Sequence, residues 1–466
     1  MHQELAQYFR CTDDVAEFRL GGPLSKDSGY FCFGRNTVCY GRSGAGSRAK
    51  SVNEPLYDAL DDIHFQGSHV DLPFDPAEIA GNLRHERYVT ASGSPVRRRF
   101  AKVVRSSYYL VRPLLPVKVR KHLQKLHLDG WKKLAFPHWP VDTSVDNLLE
   151  NLLTVAIKSN GGNSIPFIWF WPDGANASAI MTHDVETQLG VDLCKKLMDM
   201  NDEFEVPASF QVVPEKRYPV PQSYLEEIRR RGFEVNVQDL NHDGHLYDEW
   251  EEFKRRAAKI NVYAKEYGAV GFRAGVLYRN QDWYNMLDFE YDTTVPNVAH
   301  LDPQHGGCCT VMPFFIDRMV ELPVTTTQDY SLFHILNDYS QNLWEQQFKI
   351  ILSKHGLINV IVHPDYINGP REEAVYRALL QRYARLRKEQ NVWIALPKDV
   401  NRWWRQRSQM KLEQRNGELR IEGAGSERAR IALASFEGGR LTYKVLDASA
   451  SVPAPLARDL SAVEPA

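Results

Sequence analysis

The chain has 466 residues, of which 43% are hydrophobic and 25% charged, as in an ordinary globular protein. This length predicts two or three domains. The formal net charge of -2 lacks the positive excess typical of proteins that bind nucleic acid, so no nucleic-acid partner is expected. No apolar run approaches the roughly 18 residues of a membrane-spanning helix, so no transmembrane segment is expected.

The N-terminal residues and the cysteines indicate a cytoplasmic protein. Residues 1–7 have neither the basic region nor the apolar region of a secretory signal. The six cysteines are scattered along the chain, which favours reduced thiols over a disulfide framework. Cys308 and Cys309 are adjacent, and they fit either a redox pair or, as we favour, two small buried residues.

Residues 1–134 form an N-terminal α+β region whose function the sequence does not indicate. Residues 30–33 and 37–40 flank a turn and predict a β-hairpin. Residues 97–128 contain no acidic residue and alternate basic with apolar side chains. This segment fits a peripheral contact with an anionic lipid surface. The alternative is a solvated basic face of two short helices. Pro113 and Pro116 favour this alternative, because proline interrupts a long amphipathic helix.

Residues 135–405 alternate short apolar strands with helical segments, which predicts a (β/α) barrel or an open doubly wound sheet. The clearest helix is predicted over residues 247–267, with Gly268 as its C-cap. No glycine-rich phosphate loop follows a strand, which disfavours nucleotide binding. The strands are predicted at residues 166–171, 208–213, 233–237, 269–273, 319–322 and 358–362.

The pattern changes after the barrel. Residues 406–448 contain short strands between glycine-rich turns and predict a small β appendage, either a sugar-binding module or, more in keeping with its size, a packing addition. Residues 449–466 are rich in Ala and Pro and are expected to be disordered.

Residues 179–187 contain the pattern with the clearest chemical meaning. An apolar strand ends in Asp184 and Glu186, and because side chains alternate along a strand, the two carboxylates point to the same face. They repel each other unless a cation or a shared proton lies between them. Catalytic groups of α/β barrels collect at such strand ends, although solvated acids at the end of a strand would give the same pattern.

Further polar clusters follow the predicted strands, in the order Gln238 with His242, Arg273, Asp329 and His363. Together with the strand-end acids they resemble the five ordered motifs of the NodB-type polysaccharide deacetylases, carbohydrate esterase family 4. The resemblance covers about residues 165–400, and the first motif resembles the family's His-Asp-Val-Asp/Glu variant. It implies a distorted (β/α) barrel, a divalent metal and hydrolysis of a carbon–nitrogen amide, most often an N-acetyl group on a sugar.

The resemblance also implies a role for each of these residues. Asp184 would be the base that takes a proton from water, and Arg273 would hold it ionised and oriented. Glu186 and His242 would be metal ligands. His363 would protonate the departing amine, and Asp329 would fix the tautomer of His363 and raise its pKa. Simpler alternatives are a structural ion pair for Arg273 and a strand cap for His363.

Gln238 departs from the family pattern, because the family has its first metal-binding histidine at this position. A neutral amide is a poor ligand for zinc but is acceptable to harder cations. The site could therefore bind metal weakly, hold another ion, or work without metal. Zinc or another divalent ion remains the expectation, with Glu186, His242 and Gln238 as the ligand positions.

The expected substrate is an N-acetylated sugar or polysaccharide precursor. Four aromatic residues near the strand ends, Tyr278, Trp283, Tyr330 and Tyr366, would suit stacking on sugar rings, although core packing explains such residues equally well. Two other functions stay open. One is a metal-free amidohydrolase of a small amide, and the other is a non-catalytic sugar-binding relative in polysaccharide assembly.

Overall fold

The computed structural model describes residues 2–12, 15–44, 49–67, 69–91, 128 and 130–448. The basic segment 97–128, apart from Leu128, and the tail 449–466 lie outside the described residues, so the predictions for them stay predictions. No helix in the described ranges has the length and hydropathy that crossing a bilayer requires.

The described residues form helices and strands that alternate through the middle of the chain. The helices are α1 His2–Phe9, α2 Pro76–Arg84, α3 Arg87–Ala91, α4 Ser144–Ser159, α5 Gln188–Glu203, α6 Gln222–Arg230, α7 Trp250–Tyr267, α8 Asn342–Ser353, α9 Pro370–Gln390 and α10 Pro397–Gln409. The strands are β1 Glu17–Leu20, β2 Gly29–Cys32, β3 Val38–Gly41, β4 His64–Gln66, β5 His69–Leu72, β6 Ile165–Ile168, β7 Ala177–Val185, β8 Ala208–Val212, β9 Glu234–Gln238, β10 Gly271–Arg273, β11 Tyr291–Asp292, β12 Phe314–Ile316, β13 Met319–Glu321, β14 Leu357–Val362, β15 Val392–Ile394, β16 Lys411–Arg415, β17 Glu418–Glu422, β18 Ile431–Glu437 and β19 Arg440–Val445.

The central sheet follows the order β12-β13-β11-β10-β9-β8-β7-β14, and β15 also pairs with β7. Its strands run parallel except for β12, which pairs antiparallel with β13. The chain after β13 reaches β14 through side chains: Thr325 Oγ1 donates to Leu357 O at 2.7 Å, and Asn359 Nδ2 donates to Leu322 O at 3.0 Å. The sheet thus curls into a distorted (β/α) barrel, and this prediction is confirmed.

Strand β7 pairs with β8, β14 and β15, and all of its residues are buried. A parallel strand that is covered on both faces favours apolar residues, and β7 is apolar up to Thr182 apart from Ser178, whose hydroxyl donates to Trp393 O. Helix α7 ends at Tyr267, as predicted, and Gly268 follows with a left-handed φ of 54°. Its buried residues Phe253, Ala257, Ile260 and Ala264 recur at three- and four-residue spacing and face the sheet.

One predicted strand lies in a different sheet. Residues 166–171 were expected in the barrel, but β6 pairs with β18 in the three-stranded sheet β19-β18-β6. Pro166 has no backbone N–H to donate, so it is suited to an edge strand such as β6 and not to a central strand of the barrel. The other five predicted strands correspond to β8, β9, β10, β13 and β14, with bounds that differ by one or two residues.

The N-terminal region and the C-terminal strands pack together beside the barrel. Strands β2 and β3 form the predicted hairpin, with Tyr30 opposite Tyr40. One hydrophobic cluster contains Leu5 of α1, Leu322 after β13 and Ala434 of β18. The three parts of the chain therefore share a core, and the predicted domain bounds stay a prediction.

Candidate active site

The polar end of β7 lies against a fully buried arginine from β10. Nη1 of Arg273 donates to Asp184 Oδ1 at 2.5 Å and to Thr182 Oγ1 at 2.9 Å. Its Nε and Nη2 donate to the carbonyl and hydroxyl oxygens of Thr293, at 2.9 and 2.8 Å. Because each of these donors has an acceptor, the guanidinium is fixed, and it fixes one oxygen of Asp184 through a charge-assisted hydrogen bond.

Gln238, the last residue of β9, bridges the two carboxylates. Its Nε2 donates to Asp184 Oδ2 at 3.1 Å and to Glu186 Oε1 at 3.2 Å. The opposite orientation of the amide would set its oxygen against two carboxylate oxygens. In this arrangement Gln238 donates hydrogen bonds where a metal ligand was predicted, and its Oε1 is buried with no hydrogen-bond partner among the described residues.

His242 lies on the other side of Glu186, with Nε2 2.8 Å from Glu186 Oε1. Burial lowers the pKa of His242, but Glu186 and then Asp239 outweigh burial, so the pKa is raised. Burial likewise raises the pKa of Glu186, yet His242 and His363 hold it well below its usual range. Both shifts favour the ion pair.

The loop that carries His242 is tightly folded. Asp239 and His242 have left-handed φ angles of 55° and 53°, which are uncommon for residues with a Cβ. A Cβ on Gly275 would come within 2.6 Å of Asp239 Oδ2 and 3.1 Å of His242 Cδ2, so only glycine allows this approach. Oδ2 of Asp239 and Nδ1 of His242 are buried without hydrogen-bond partners among the described residues.

His363 follows β14 and is held by Asp329. Its Nδ1 lies 2.6 Å from Asp329 Oδ1, and its backbone N–H donates to Asp329 Oδ2 at 2.7 Å. Its Nε2 points toward the acids and lies 3.5 Å from Glu186 Oε1. Burial lowers the pKa of His363, but Asp329 and then Glu186 raise it well above 6.5. Both carboxylates therefore favour the protonated form of the imidazole.

The donor set fits a divalent cation. Asp184, Glu186 and His363 each offer a ligand atom, and these atoms lie within 4.8 Å of one another. Nε2 of His242 adds a second imidazole nitrogen beside Glu186. Carboxylate oxygen and imidazole nitrogen are donors that zinc accepts, and the buried unpartnered atoms of Gln238 and Asp239 lie beside them.

Two of the four predicted aromatic residues lie beside this group. The Tyr366 ring is 4.7 Å from the His363 ring, and Tyr330 is 5.7 Å from Tyr366. Trp283 instead packs against helix α7, 5.2 Å from each of the Trp250 and Phe253 rings. Tyr278 is buried in the turn after β10, and its backbone N–H donates to Gly275 O.

The two threonines that hold Arg273 are not among the predicted site residues. Thr182 stands two residues before Asp184 and shares its strand face, so alternation could have identified it. Thr293 follows β11, a strand of two residues that is too short to show a pattern. The structure brings all seven predicted catalytic and metal-binding residues together, and their roles stay predictions.

No protein-family model and no curated protein matches the chain. Solved structures do match, and two are provisionally assigned polysaccharide deacetylases. The one from Mycobacterium smegmatis is 19% identical, with a TM-score of 0.41 over 51% of this chain and 93% of the other. The one from Pseudomonas aeruginosa is 13% identical, with a TM-score of 0.39 over 50% and 92%. An allantoinase is 12% identical, with a TM-score of 0.39 over 50% and 92%. Structures described as polysaccharide deacetylases are thus among those the chain resembles over half its length, as the motifs predicted.

Proposed function

We propose that the chain hydrolyses a carbon–nitrogen amide bond, in the class of N-deacetylation of an N-acetylated sugar. One observation carries the proposal: two acid–base units meet at Glu186. On one side Arg273 holds Asp184, and on the other Asp329 holds His363 and raises its pKa. Amide hydrolysis needs a base for water and an acid for the departing amine, and these two units supply them.

Each proton transfer of the reaction is assigned to one residue. Asp184 accepts a proton on Oδ2, the oxygen that Arg273 does not contact and to which Gln238 Nε2 donates, while the water oxygen bonds to the carbonyl carbon. The carbon–nitrogen bond then breaks, and Nε2 of His363 gives its proton to the nitrogen. The products are a carboxylic acid and an amine, and proton exchange with solvent restores both residues.

We infer that Glu186 and His242, at the predicted ligand positions beside Gln238, hold a divalent cation, with zinc the best match to their carboxylate and imidazole donors. Such a cation would polarise the carbonyl and acidify the attacking water. The second candidate is a metal-free amidohydrolase of a small amide. It is favoured by Gln238, whose Nε2 already bridges the two carboxylates that a cation would otherwise separate.

The proposed substrate is an N-acetylated sugar, or a nucleotide- or lipid-linked precursor of a polysaccharide. Tyr366 and Tyr330 lie beside His363 and would stack on a sugar ring. The cytoplasmic location expected from the sequence is also a proposal. Fractionation of cells that express the tagged protein would test this location.

The test is acetate release by the purified chain from N-acetylglucosamine oligomers and from a nucleotide-linked N-acetylglucosamine. We expect Asp184→Asn and His363→Ala to reduce turnover at least about 100-fold, since each removes one acid–base group. The matched control is His245→Ala, because His245 is partly exposed and its Nδ1 pairs with Asp248. Activity that survives in either site variant would contradict the proposal.

A chelator separates the two candidate mechanisms. Loss of activity in chelator, with recovery on adding zinc, supports the metal-dependent hydrolase. Full activity in chelator, with no metal in the purified protein, supports the metal-free amidohydrolase. Sugar binding without turnover would instead indicate a non-catalytic relative.

A further inference from the structure

A loop after β8 presents an exposed arginine beside the candidate active site. Strand β8 ends at Val212, and residues 213–218 follow it. Arg217 of this loop is exposed, and its Nε donates to the backbone oxygen of Glu186 at 2.8 Å. The side chain of Glu186 is the one whose Oε1 lies 2.8 Å from His242 Nε2. The guanidinium therefore stands next to the group of site residues.

Hydrogen bonds fix the loop that carries this arginine. Oη of Tyr218 donates to Val185 O at 2.5 Å, and the backbone N–H of Glu215 donates to Leu240 O at 2.9 Å. Val185 is the last residue of β7, and Leu240 follows β9, so the loop is tied to both strands that deliver site residues. The position of Arg217 is thus set before a ligand binds, which lowers the entropy cost of a contact through it.

Arg217 has no anionic partner in the part of the chain that the structure describes. Its Nε bonds a neutral carbonyl oxygen, and no described carboxylate pairs with its guanidinium. Neighbouring arginines differ in this respect, because Arg273 pairs with Asp184 and Arg256 pairs with two carboxylates. Burial and, more weakly, the charge of Arg217 lower the pKa of His242, although the carboxylates around that imidazole prevail. An uncompensated positive charge therefore reaches the site.

The terminal edge of this guanidinium suits an oxyanion. Nη1 and Nη2 of an arginine donate two parallel hydrogen bonds to two oxygens of one carboxylate or phosphate. Among the described residues, the protein engages only the Nε of Arg217, and the exposed side chain presents its other two nitrogens to solvent. A contact of this kind to a charged group strengthens binding about tenfold or more.

Glu186 connects this arginine to the proposed reaction centre. Its backbone oxygen binds Arg217, while its Oε1 lies 3.5 Å from Nε2 of His363, the proposed acid for the departing amine. One residue thus links the acid and the guanidinium. A sugar whose amide reaches His363 would have its other ring substituents on the side of Arg217.

We propose that Arg217 binds an oxyanion carried by the N-acetylated sugar, a phosphate or a carboxylate, and so selects anionic sugars over neutral ones. The inference rests on the proposed function, which sets where the sugar lies. An arginine that only holds the backbone after β7 would instead affect neutral and anionic sugars equally.

The test is calorimetric titration of the full chain carrying Asp184→Asn, in which the amide stays intact, with three N-acetylated sugars. Methyl N-acetylglucosaminide is neutral, N-acetylglucosamine 1-phosphate carries a phosphate, and N-acetylmuramic acid carries a carboxylate. We expect at least one anionic sugar to bind about tenfold more tightly than the neutral sugar, and added salt to reduce this preference. Adding Arg217→Gln should remove the preference and leave the affinity for the neutral sugar unchanged. The anionic sugar that binds more tightly identifies the oxyanion.

The matched control is Arg35→Gln in the same chain. Arg35 is exposed in the turn between β2 and β3, and no described carboxylate pairs with it. Lys216→Gln is a second control, because it removes an equal charge from the exposed residue next to Arg217. Both controls should keep the preference for the anionic sugar.

The proposal is overturned if no sugar binds at about 10 mM, or if neither anionic sugar binds more tightly than the neutral one. It is also overturned if Arg217→Gln weakens all three sugars equally, or if either control loses the preference as fully as Arg217→Gln. Binding needs no turnover, so acetate release by the unmodified chain tests the proposed function separately. A preference for anionic sugars without any acetate release would contradict that function alone.

Discussion

Replacing Asp329 with Asn should move the alkaline limb of the pH–activity profile to lower pH. Burial is the largest single effect on the pKa of His363 and lowers it, but the contributions of Asp329 and then Glu186 together outweigh burial and raise the pKa. In the unmodified chain these carboxylates raise the pKa of His363 well above its usual value, which favours the acid form. Without the charge at position 329, Glu186 would remain to oppose burial and the pKa of His363 would fall.

The size of the effect depends on pH. Activity needs protonated His363 and is lost as pH rises through its pKa. At pH values above the alkaline limb, each pH unit by which the limb moves down therefore reduces kcat/KM about tenfold. The largest loss is about 100- to 10,000-fold, since this is what a positioned general acid contributes. At pH values below both limbs, the loss should be smaller, because the imidazole is protonated in both proteins.

The assay is kcat/KM for acetate release between pH 5 and 10, measured on Asp329→Asn and the unmodified chain. The control is Asp302→Asn, another buried carboxylate, whose hydrogen bond comes from Gln328 and not from His363. Its alkaline limb should not move. The reasoning is refuted if the limb of Asp329→Asn stays in place, or if its loss of activity is the same at every pH.

Three further substitutions test other parts of the account. Glu86→Gln should lower the free energy of unfolding in urea by about 3–5 kcal/mol, because it leaves buried Arg279 without its counter-ion; a loss below about 1 kcal/mol would contradict this. Gln238→His should raise the zinc content of purified protein, since imidazole replaces a poor ligand, and an unchanged content would count against the proposed cation site. Burial raises the pKa of Glu234 from 4.5 to about 7. Its contribution to stability is therefore fully present below about pH 4.5 and is lost as the pH rises through 7. Glu234→Gln should remove about 3 kcal/mol of this pH dependence, and an unchanged slope of unfolding free energy against pH would refute this.

The sequence was sufficient to predict the barrel and the group at its strand ends, because both follow from local rules. Alternation along β7 sets Asp184 and Glu186 on one face, and parallel strands bring their carboxyl ends to one edge. The order of the motifs along the chain then equals the order of strands around the barrel. Arg273 meets Asp184 for this reason, although 89 residues separate them.

The sequence could not reveal what depends on contacts between distant and irregular segments. The ion pair between Glu86 and Arg279 joins the N-terminal region to the turn after β10, and no periodicity marks either residue. Trp283 was expected near the substrate, but its ring contacts lie on helix α7. An aromatic side chain near a strand end fits both positions, and only packing distinguishes them.

The most direct test of the central claim is hydrolysis of an N-acetylated glucosamine oligomer in water enriched in ¹⁸O, followed by mass spectrometry. The account predicts one labelled acetate for each free amine formed, and no products above background with Asp184→Asn or His363→Ala. The account would be contradicted if no N-acetylated sugar tested released acetate, or if either variant turned over the oligomer as fast as the unmodified chain.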